Sequence, residues 1–216
     1  MSVPGRARAA PPRLLCLSHT LTDGMPAYPG DPPPQLSALA TVEPDGYTAY
    51  RLCSGLHVGT HVDAPIHMVP GGKYIDDFPP DAFTGPGRLL DVRGQAIIDA
   101  DVLAQATLEP GEILLLLTGH AQLFGQAAYY ESAPVVTEAF ARALVERRVK
   151  ALGMDTPSPD RPPFEVHRIL LGKDILLFEN LTNLEALLPL ETFFLYAFPP
   201  RIHAEAAPVT VIAAVG

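Results

Sequence analysis

Residues 57–67 of the chain read His57-Val58-Gly59-Thr60-His61-Val62-Asp63-Ala64-Pro65-Ile66-His67. Three histidines and one aspartate fall within this stretch, and a glycine and a proline interrupt it. Gly59 and Pro65 are both unfavourable inside a helix, so these polar side chains do not follow one helix face. The stretch therefore indicates a bent, partly extended segment whose imidazoles and carboxylate are arranged around a common point.

The spacing of these residues predicts a metal site. His61 and Asp63 are two residues apart, so an extended backbone points both side chains to the same side. A bend at Gly59 could bring the ring of His57 to the same point. Neutral imidazole and carboxylate are the usual ligands of a hydrolytic zinc ion, and a three-ligand set leaves one position open. Spacing alone leaves His67 as either a fourth ligand or a free acid/base, and a surface histidine cluster without function is the alternative reading of the whole stretch.

Two further groups of polar residues follow predicted strands downstream. Asp155-Thr156-Pro157-Ser158 comes directly after an apolar run, where functional loops collect in α/β folds. Glu179 closes another apolar run, and a carboxylate there is costly unless it is paired or binds a metal. For Glu179 a salt bridge or the start of a helix near Asn183 is an equally good explanation. His167, on a predicted short helix, is equally ambiguous when taken alone.

Composition limits the class of protein. The chain has 216 residues, 48% of them hydrophobic, and a formal net charge of −9, which fits one globular domain without a basic surface for nucleic acid. The two cysteines do not form a disulfide framework, which favours a reducing compartment, and no apolar run is long enough to cross a bilayer. We expect a cytoplasmic protein with no nucleic-acid or membrane partner.

The secondary-structure pattern predicts a mixed α/β chain. Helices are expected after Asp99, after Thr137, between Pro163 and Gly172, and after Asn183, because each of these residues can start or stop a helix. We interpret residues 1–13 as a disordered lead-in and residues 14–216 as one domain without repeats or linkers. Short apolar runs bounded by Gly, Pro or Asp predict buried strands at residues 47–53, 87–92, 113–118, 151–154, 175–178, 193–198 and 208–214.

The stretch from His57 to His67 resembles the HxGTHxDxPxH motif of the cyclase family of metal-dependent hydrolases, which includes bacterial kynurenine formamidases and isatin hydrolases. The resemblance extends over most of the chain. Tyr28-Pro29-Gly30-Asp31 is similar to the family's Trp-Pro-Gly-Asp loop, and Asp155-Thr156-Pro157-Ser158 is similar to its Asp-Thr-Pro-Ser segment. His167 and Glu179 are similar to its downstream pair of metal ligands.

The resemblance implies a fold and a set of roles. The fold would be a swivelling β/β/α-type single domain with a central mixed β-sheet and flanking helices. His57, His61 and Asp63 would hold a first metal ion, Asp63 and Glu179 would bridge, and His167 would hold a second. His67 would be the catalytic acid/base rather than a ligand. The cofactor would be Zn²⁺, one or two ions per subunit, with Mn²⁺ as an alternative, and the protein would form a homodimer or a larger homo-oligomer.

The implied activity is hydrolysis of a small aromatic amide, with N-formyl-L-kynurenine as the leading substrate. Tyr28, which replaces the family's Trp, would stack on the aromatic ring of the substrate. A second departure is Asn180, which follows Glu179 where the related formamidases have Gly. These departures affect the substrate more than the metal ligands. The alternatives are hydrolysis of a cyclic amide such as isatin and a metal-binding protein without catalysis.

Overall fold

The computed structural model describes residues 11–216, and the centre of this part of the chain is the strand Ile113–Leu117. All five of its residues are buried. Because successive side chains of a strand point to opposite faces, Ile113, Leu115 and Leu117 enter one hydrophobic core and Leu114 and Leu116 enter another. Burying a leucine side chain contributes ~1.5–3 kcal/mol, so this run is a strong reason for the sheet to form around it.

The strands follow one another in the order β1 to β13 along the chain. Their bounds are β1 Arg13–Cys16, β2 Gln35–Ala40, β3 Ala49–Cys53, β4 His61–Asp63, β5 Thr84–Asp91, β6 Ile97–Ile98, β7 Ile113–Leu117, β8 Val135–Val136, β9 Ala151–Met154, β10 Leu176–Glu179, β11 Phe193–Tyr196, β12 Ala206–Pro208 and β13 Ile212–Val215. The helices are α1 Val42–Asp45, α2 Ala128–Glu131, α3 Glu138–Arg147 and α4 Glu165–Leu171. Short 3₁₀ turns occur at Pro65–His67, Ile75–Asp77, Pro80–Phe83, Ala100–Gln105, His120–Leu123 and Leu184–Leu187.

Nine of the strands form one mixed sheet in the order β1-β13-β11-β5-β7-β9-β10-β4-β12. The four strands β5, β7, β9 and β10 are parallel neighbours, whereas all the other pairs in this sheet are antiparallel. Helices α3 and α4 cover one face of the parallel part through Phe140, Leu144 and Leu170. The other core joins Leu15 near one edge of the sheet to Ala207 at the opposite edge, so the sheet curls around it. The predicted α/β class, with a central mixed sheet and flanking helices, is confirmed.

The parallel strands bring the polar residues to one edge of the sheet. Met154 and Glu179 end β9 and β10, and these two strands run in the same direction. Strand β4 runs antiparallel to β10, and its first residue, His61, lies directly opposite Glu179. The first residue of β4 and the last residue of β10 therefore meet at the same place, which the register fixes.

Helix α3 begins as the sequence predicts. The side chain of Thr137 accepts a hydrogen bond from the backbone N–H of Phe140 at 3.1 Å, and the helix ends where Arg148 adopts a left-handed conformation. The helix expected between Pro163 and Gly172 is also present, as α4.

Several other expectations differ from the structure. The segments after Asp99 and Asn183 form 3₁₀ turns rather than α-helices. The predicted strand 208–214 is two strands, β12 and β13, which pair with different neighbours. Residues 1–10 of the predicted lead-in lie outside the described residues, and its last residue, Arg13, is already part of β1, where it pairs with Val215. Within residues 11–216, strand β3 pairs only with β2, in a ribbon separate from the main sheet.

Candidate metal centre and active site

All seven residues to which the sequence analysis gave a metal-binding, catalytic or substrate-binding role line one open cleft. The cleft has an empty volume of about 670 Å³, which includes its solvent-exposed mouth. His57, His61, Asp63, His67, His167 and Glu179 lie at its polar end. Tyr28, Met68, Tyr130 and Phe164 contribute aromatic and apolar surface. The arrangement combines a polar cluster with an apolar wall, as small-molecule sites do.

The backbone bend at Gly59 positions the first two histidines. Gly59 has φ +61°, and a Cβ atom there would come within 3.0 Å of the end of the Met25 side chain. This bend places the ring centroids of His57 and His61 5.1 Å apart. The convergence of these two rings, which the sequence suggested only as an option, is therefore present.

Asp63 and Glu179 lie at the centre of the cluster and are almost fully buried. His57 Nδ1 is 3.0 Å from Asp63 Oδ1, and His61 Nε2 is 3.5 Å from the same oxygen. Glu179 contributes one oxygen 3.2 Å from His61 Nε2 and the other 3.4 Å from His167 Nε2. The two carboxylates therefore lie between the histidines.

The donor atoms of this cluster fit a bound cation. His61 Nε2, both carboxylate oxygens of Asp63 and Oε1 of Glu179 are buried and have no hydrogen-bond partner among the described residues. His57 Nδ1 is near Asp63, but the contact lacks hydrogen-bond geometry. Carboxylates that are buried without hydrogen bonds are unstable by several kcal/mol unless positive charge balances them, and a divalent ion is the partner that carboxylate and imidazole together select. The residues present thus suit a metal ion.

Two groups of residues bring their ligand atoms within 4.8 Å of one another. One consists of His57, Asp63 and His67, and the other of His61, Asp63 and Glu179. His67, on the 3₁₀ turn Pro65–His67, has its ring centroid 4.3 Å from that of His57. Geometry alone therefore leaves His67 within reach of a metal ion, as spacing did.

The pKa values of the cluster reflect competition between burial and charge. Burial opposes a charge on His61, but Asp63 and Glu179 override it and raise the pKa of His61 to about 9. Burial likewise opposes a charge on His167, but Asp160 and Glu179 raise its pKa to about 10. For His67 burial prevails and its pKa is lowered, so this ring is the one that favours the neutral form.

Asp160 is a site residue that the sequence reasoning missed. It is buried, and its Oδ1 lies 2.5 Å from Nδ1 of His167, which leaves Nε2 of the ring facing Asp63 and Glu179. Its other oxygen accepts the backbone N–H of Val166 in α4 at 2.7 Å. A carboxylate behind a metal-binding histidine is a common feature, so a search for an acidic residue near His167 would have been the available signal.

The residues of the segment Asp155–Ser158 have two different roles. Asp155 accepts hydrogen bonds from the backbone of Thr118 and Gly119 at 2.9 and 2.8 Å, so it holds the turn after β7 rather than facing the cleft. Pro157 and Ser158 line the cleft. The three remaining histidines lie outside the cleft. His203 pairs with Asp76 on the surface, buried His120 bonds to the carbonyl of Tyr129, and His19 stacks on Phe124.

The aromatic wall contains residues that the sequence did not indicate. Tyr28 lies edge-on to Tyr130, with ring centroids 6.0 Å apart. Phe164 contacts the ring of His167 at 5.6 Å between centroids. Tyr130 and Phe164 are far from Tyr28 in the chain and carry no motif of their own, so only the tertiary structure reveals them.

Comparison with known proteins agrees with this geometry. The family profile described as "Putative cyclase" matches residues 15–161. A kynurenine formamidase of Paracidovorax citrulli is 31% identical over 214 residues, covering 93% of this chain and 96% of that protein. A kynurenine formamidase of Bacillus cytotoxicus is 31% identical over 171 residues, covering 76% and 79%. The solved structure of isatin hydrolase A from Ralstonia solanacearum superposes with a TM-score of 0.85 at 23% identity, covering 94% and 92%, and so shares the fold.

Fold and site together define a metal-dependent hydrolase. The chain belongs to the cyclase family. Its centre is suited to a divalent metal. Within residues 11–216, no helix is both long and apolar enough to cross a membrane.

Proposed function

We propose that this enzyme hydrolyses the C–N bond of a small aromatic amide, with N-formyl-L-kynurenine as the leading substrate. The observation that carries the proposal is the convergence of buried, unpartnered carboxylate and imidazole atoms at the end of a cleft with an aromatic wall. The relatives named kynurenine formamidase support the choice of substrate, because the match to this chain extends over most of their length.

The proposed metal ligands are four buried residues of the cluster and the half-buried His57. His57, His61 and Asp63 would hold one ion, and His167 would hold a second, with Asp63 and Glu179 shared between them. We propose Zn²⁺, with Mn²⁺ as the alternative, at one or two ions per subunit. A divalent ion held there supplies Lewis-acid chemistry, which polarises the amide carbonyl and makes water acidic enough to react near neutral pH.

His67 is the proposed acid/base. Its ring lies beside the cluster, is partly accessible and favours the neutral form, so Nδ1 or Nε2 can accept a proton from water. The same ring then returns the proton to the nitrogen of the leaving amine. An arylamine is a better leaving group than an alkylamine, so one modest acid is sufficient.

Tyr28 and Tyr130 are the proposed binding surface for the substrate ring. They meet edge to face at the cleft, and an aromatic substrate can pack against either face or edge. Tyr28 is smaller than the Trp of the family's loop, which leaves more room beside the ring and adds a hydroxyl group.

A second candidate substrate is a cyclic amide such as isatin. No Lys or Arg lines the cleft among the described residues. An uncharged ring needs no cation to pair with, whereas N-formyl-L-kynurenine carries a carboxylate. The same proposed centre serves both reactions, but in a cyclic amide the leaving nitrogen stays attached to the product.

We also propose that the enzyme is a cytoplasmic homodimer or larger homo-oligomer. Cys16 and Cys53 are both free and exposed, which suits a reducing compartment. Apolar side chains of the outer antiparallel strands, including Phe194 and Tyr196, are partly exposed and provide surface for a second copy.

The decisive experiment is a substrate panel on metal-stripped protein that has been reloaded with Zn²⁺ or Mn²⁺. The panel contains N-formyl-L-kynurenine, formanilide and isatin. We expect no activity after chelation and restored activity after reloading, with N-formyl-L-kynurenine hydrolysed fastest. Preference for isatin would support the cyclic-amide alternative. Stoichiometric metal without hydrolysis of any amide would contradict the proposed function and support a metal-binding protein without catalysis.

A further inference from the structure

Asn180, directly after Glu179, is buried and makes hydrogen bonds through both its side chain and its backbone. Its side-chain Nδ2 donates to the carbonyl of Gly59 at 2.9 Å, and its Oδ1 accepts from the hydroxyl of Tyr129 at 2.7 Å. Its backbone N–H donates to the carbonyl of Thr156, and its own carbonyl accepts from the hydroxyl of Thr60. Asn180 is only 5% exposed, so these bonds replace water entirely at its amide.

The carbonyl of Gly59 connects Asn180 to a proposed metal ligand. The same oxygen accepts a hydrogen bond from Nδ1 of His61 at 2.8 Å. When Nδ1 carries the hydrogen, the lone pair of the ring is on Nε2, which faces Asp63 and Glu179. The opposite tautomer would place a hydrogen on Nε2, where a metal ion must bind. The Gly59 carbonyl therefore sets which nitrogen of His61 is available.

Tyr129 fixes the direction of the Asn180 amide. Its ring is fully buried, stacked on His120 at 5.1 Å between centroids and edge-on to Phe124 at 5.3 Å. Its hydroxyl, held in place by this packing, donates to Oδ1 of Asn180. The amide must then turn its Nδ2 towards Gly59, which reinforces the position of that carbonyl.

We propose that Asn180 and Tyr129 act as a coupled pair of positioning residues, which hold His61 in the tautomer and orientation needed to bind a metal ion. The inference rests on the proposed metal site. Groups that orient metal ligands typically change metal affinity or activity about 10–100-fold when they are removed.

The backbone at Asn180 allows a clean test. Its φ of +55° is left-handed, a conformation that Gly adopts without strain and that Asn tolerates better than most residues. Glycine can therefore adopt the backbone conformation of Asn180, and Asn180→Gly removes the side chain with its amide without straining the backbone. Asn183 provides a matched control, because it also has a left-handed φ (+58°) and donates to a main-chain carbonyl, that of Cys16, away from the cluster.

The experiment measures the Zn²⁺ affinity of the full-length chain by competition with a chromophoric chelator. The variants are Asn180→Gly, Tyr129→Phe and the double variant, with Asn183→Gly and Tyr47→Phe as controls. We expect Asn180→Gly to weaken binding about 10–100-fold and Tyr129→Phe to weaken it less. Since both act through one amide, the double variant should bind no more weakly than Asn180→Gly alone. The controls should bind as the wild type does.

Unfolding of the metal-free variants in urea separates positioning from a general loss of stability. The proposal predicts that Asn180→Gly still folds but loses more stability than Asn183→Gly, because the amide of Asn180 is buried and that of Asn183 is exposed. Only Asn180→Gly should lose affinity for the metal in its folded state. Unchanged affinity in Asn180→Gly, or additive losses in the double variant, would overturn the coupled role. A wild-type chain that binds neither Zn²⁺ nor Mn²⁺ would overturn this inference and the proposed function together, whereas a normal wild type with an unaffected Asn180→Gly overturns the inference alone.

Discussion

His67 is the residue on which the proposed mechanism depends. Its ligand atom lies within 4.8 Å of those of His57 and Asp63, so distance does not distinguish a base from a ligand. If His67 is the acid/base, His67→Ala should lower kcat by about 10²–10⁴-fold and leave the bound metal unchanged. Elemental analysis beside steady-state kinetics measures both quantities.

The control for His67 is His203→Ala, which removes an exposed imidazole that pairs with Asp76 and packs on Tyr74, away from the cleft. This variant should keep both metal and turnover. Loss of one equivalent of metal in His67→Ala would show instead that His67 is a ligand, and the role assigned to it would be wrong.

At the residue scale the sequence predicted the cluster but not its supporting residues. His57, His61 and Asp63 carry their signal in spacing, because a bend at a glycine and a two-residue repeat in an extended chain are local features. Asp160 behind His167, and Tyr129 behind Asn180, have no such local signal. These contacts form only because the fold brings distant side chains together, and no local pattern in a single sequence predicts them.

At the scale of elements, the predictions succeeded where an apolar run had clear ends. Strand β7 and helix α3 were found because burial and a capping threonine act locally. Residues 208–214 were predicted as one strand because Val209 and Val211 continue the apolar run. Their side chains are indeed buried, but the chain between β12 and β13 leaves one part of the sheet and enters another. Hydrophobicity reports burial, and it does not report which neighbour a strand pairs with.

Strands β1, β13 and β11 have a solvent-facing side that is unusually apolar. The register aligns Leu14 with Ala214 and Phe194 across the three strands, and it aligns Tyr196 with Ile212. Phe194 and Tyr196 are about two-fifths exposed. Aromatic residues are enriched at protein interfaces, so this face is the proposed contact between subunits.

This assignment predicts the behaviour of charged variants. The wild type should sediment as a dimer or larger species, and Phe194→Glu combined with Tyr196→Glu should shift it to a monomer, because two carboxylates would lose their solvation at the contact. The control Ile97→Glu introduces a charge at an exposed apolar residue of β6, outside the main sheet, and should leave the assembly intact. Sedimentation equilibrium distinguishes these states. A monomeric wild type, or a double variant that still dimerises, would contradict the assignment.

At the scale of the whole molecule, the fold gathers ionisable side chains in one buried place, and a metal ion that binds there must displace protons from them. The curled sheet places His61, Asp63 and Glu179 at one edge, and helix α4 adds His167, so that all four side chains are buried from water. Without metal, the two carboxylates raise the pKa of His61 to about 9 and, together with Asp160, that of His167 to about 10. Both rings are therefore protonated at pH 7.5. A metal ion needs the lone pair of each Nε2, so binding must displace these protons.

We therefore expect metal binding at pH 7.5 to release at least two protons per fully loaded site, one each from His61 and His167, with a further contribution from His57, whose pKa Asp63 also raises against the effect of burial. Since protons and metal compete, the apparent affinity should rise with pH and level off only as pH passes about 9 to 10, where the rings lose their protons unaided. Calorimetric titration with Zn²⁺ in buffers of different ionisation enthalpy measures the number released. His167→Ala, which lacks one of the two rings, should release about one proton fewer. If His167→Ala releases as many protons as the wild type, the metal does not displace a proton from His167. The second ion would then have to be held by other residues.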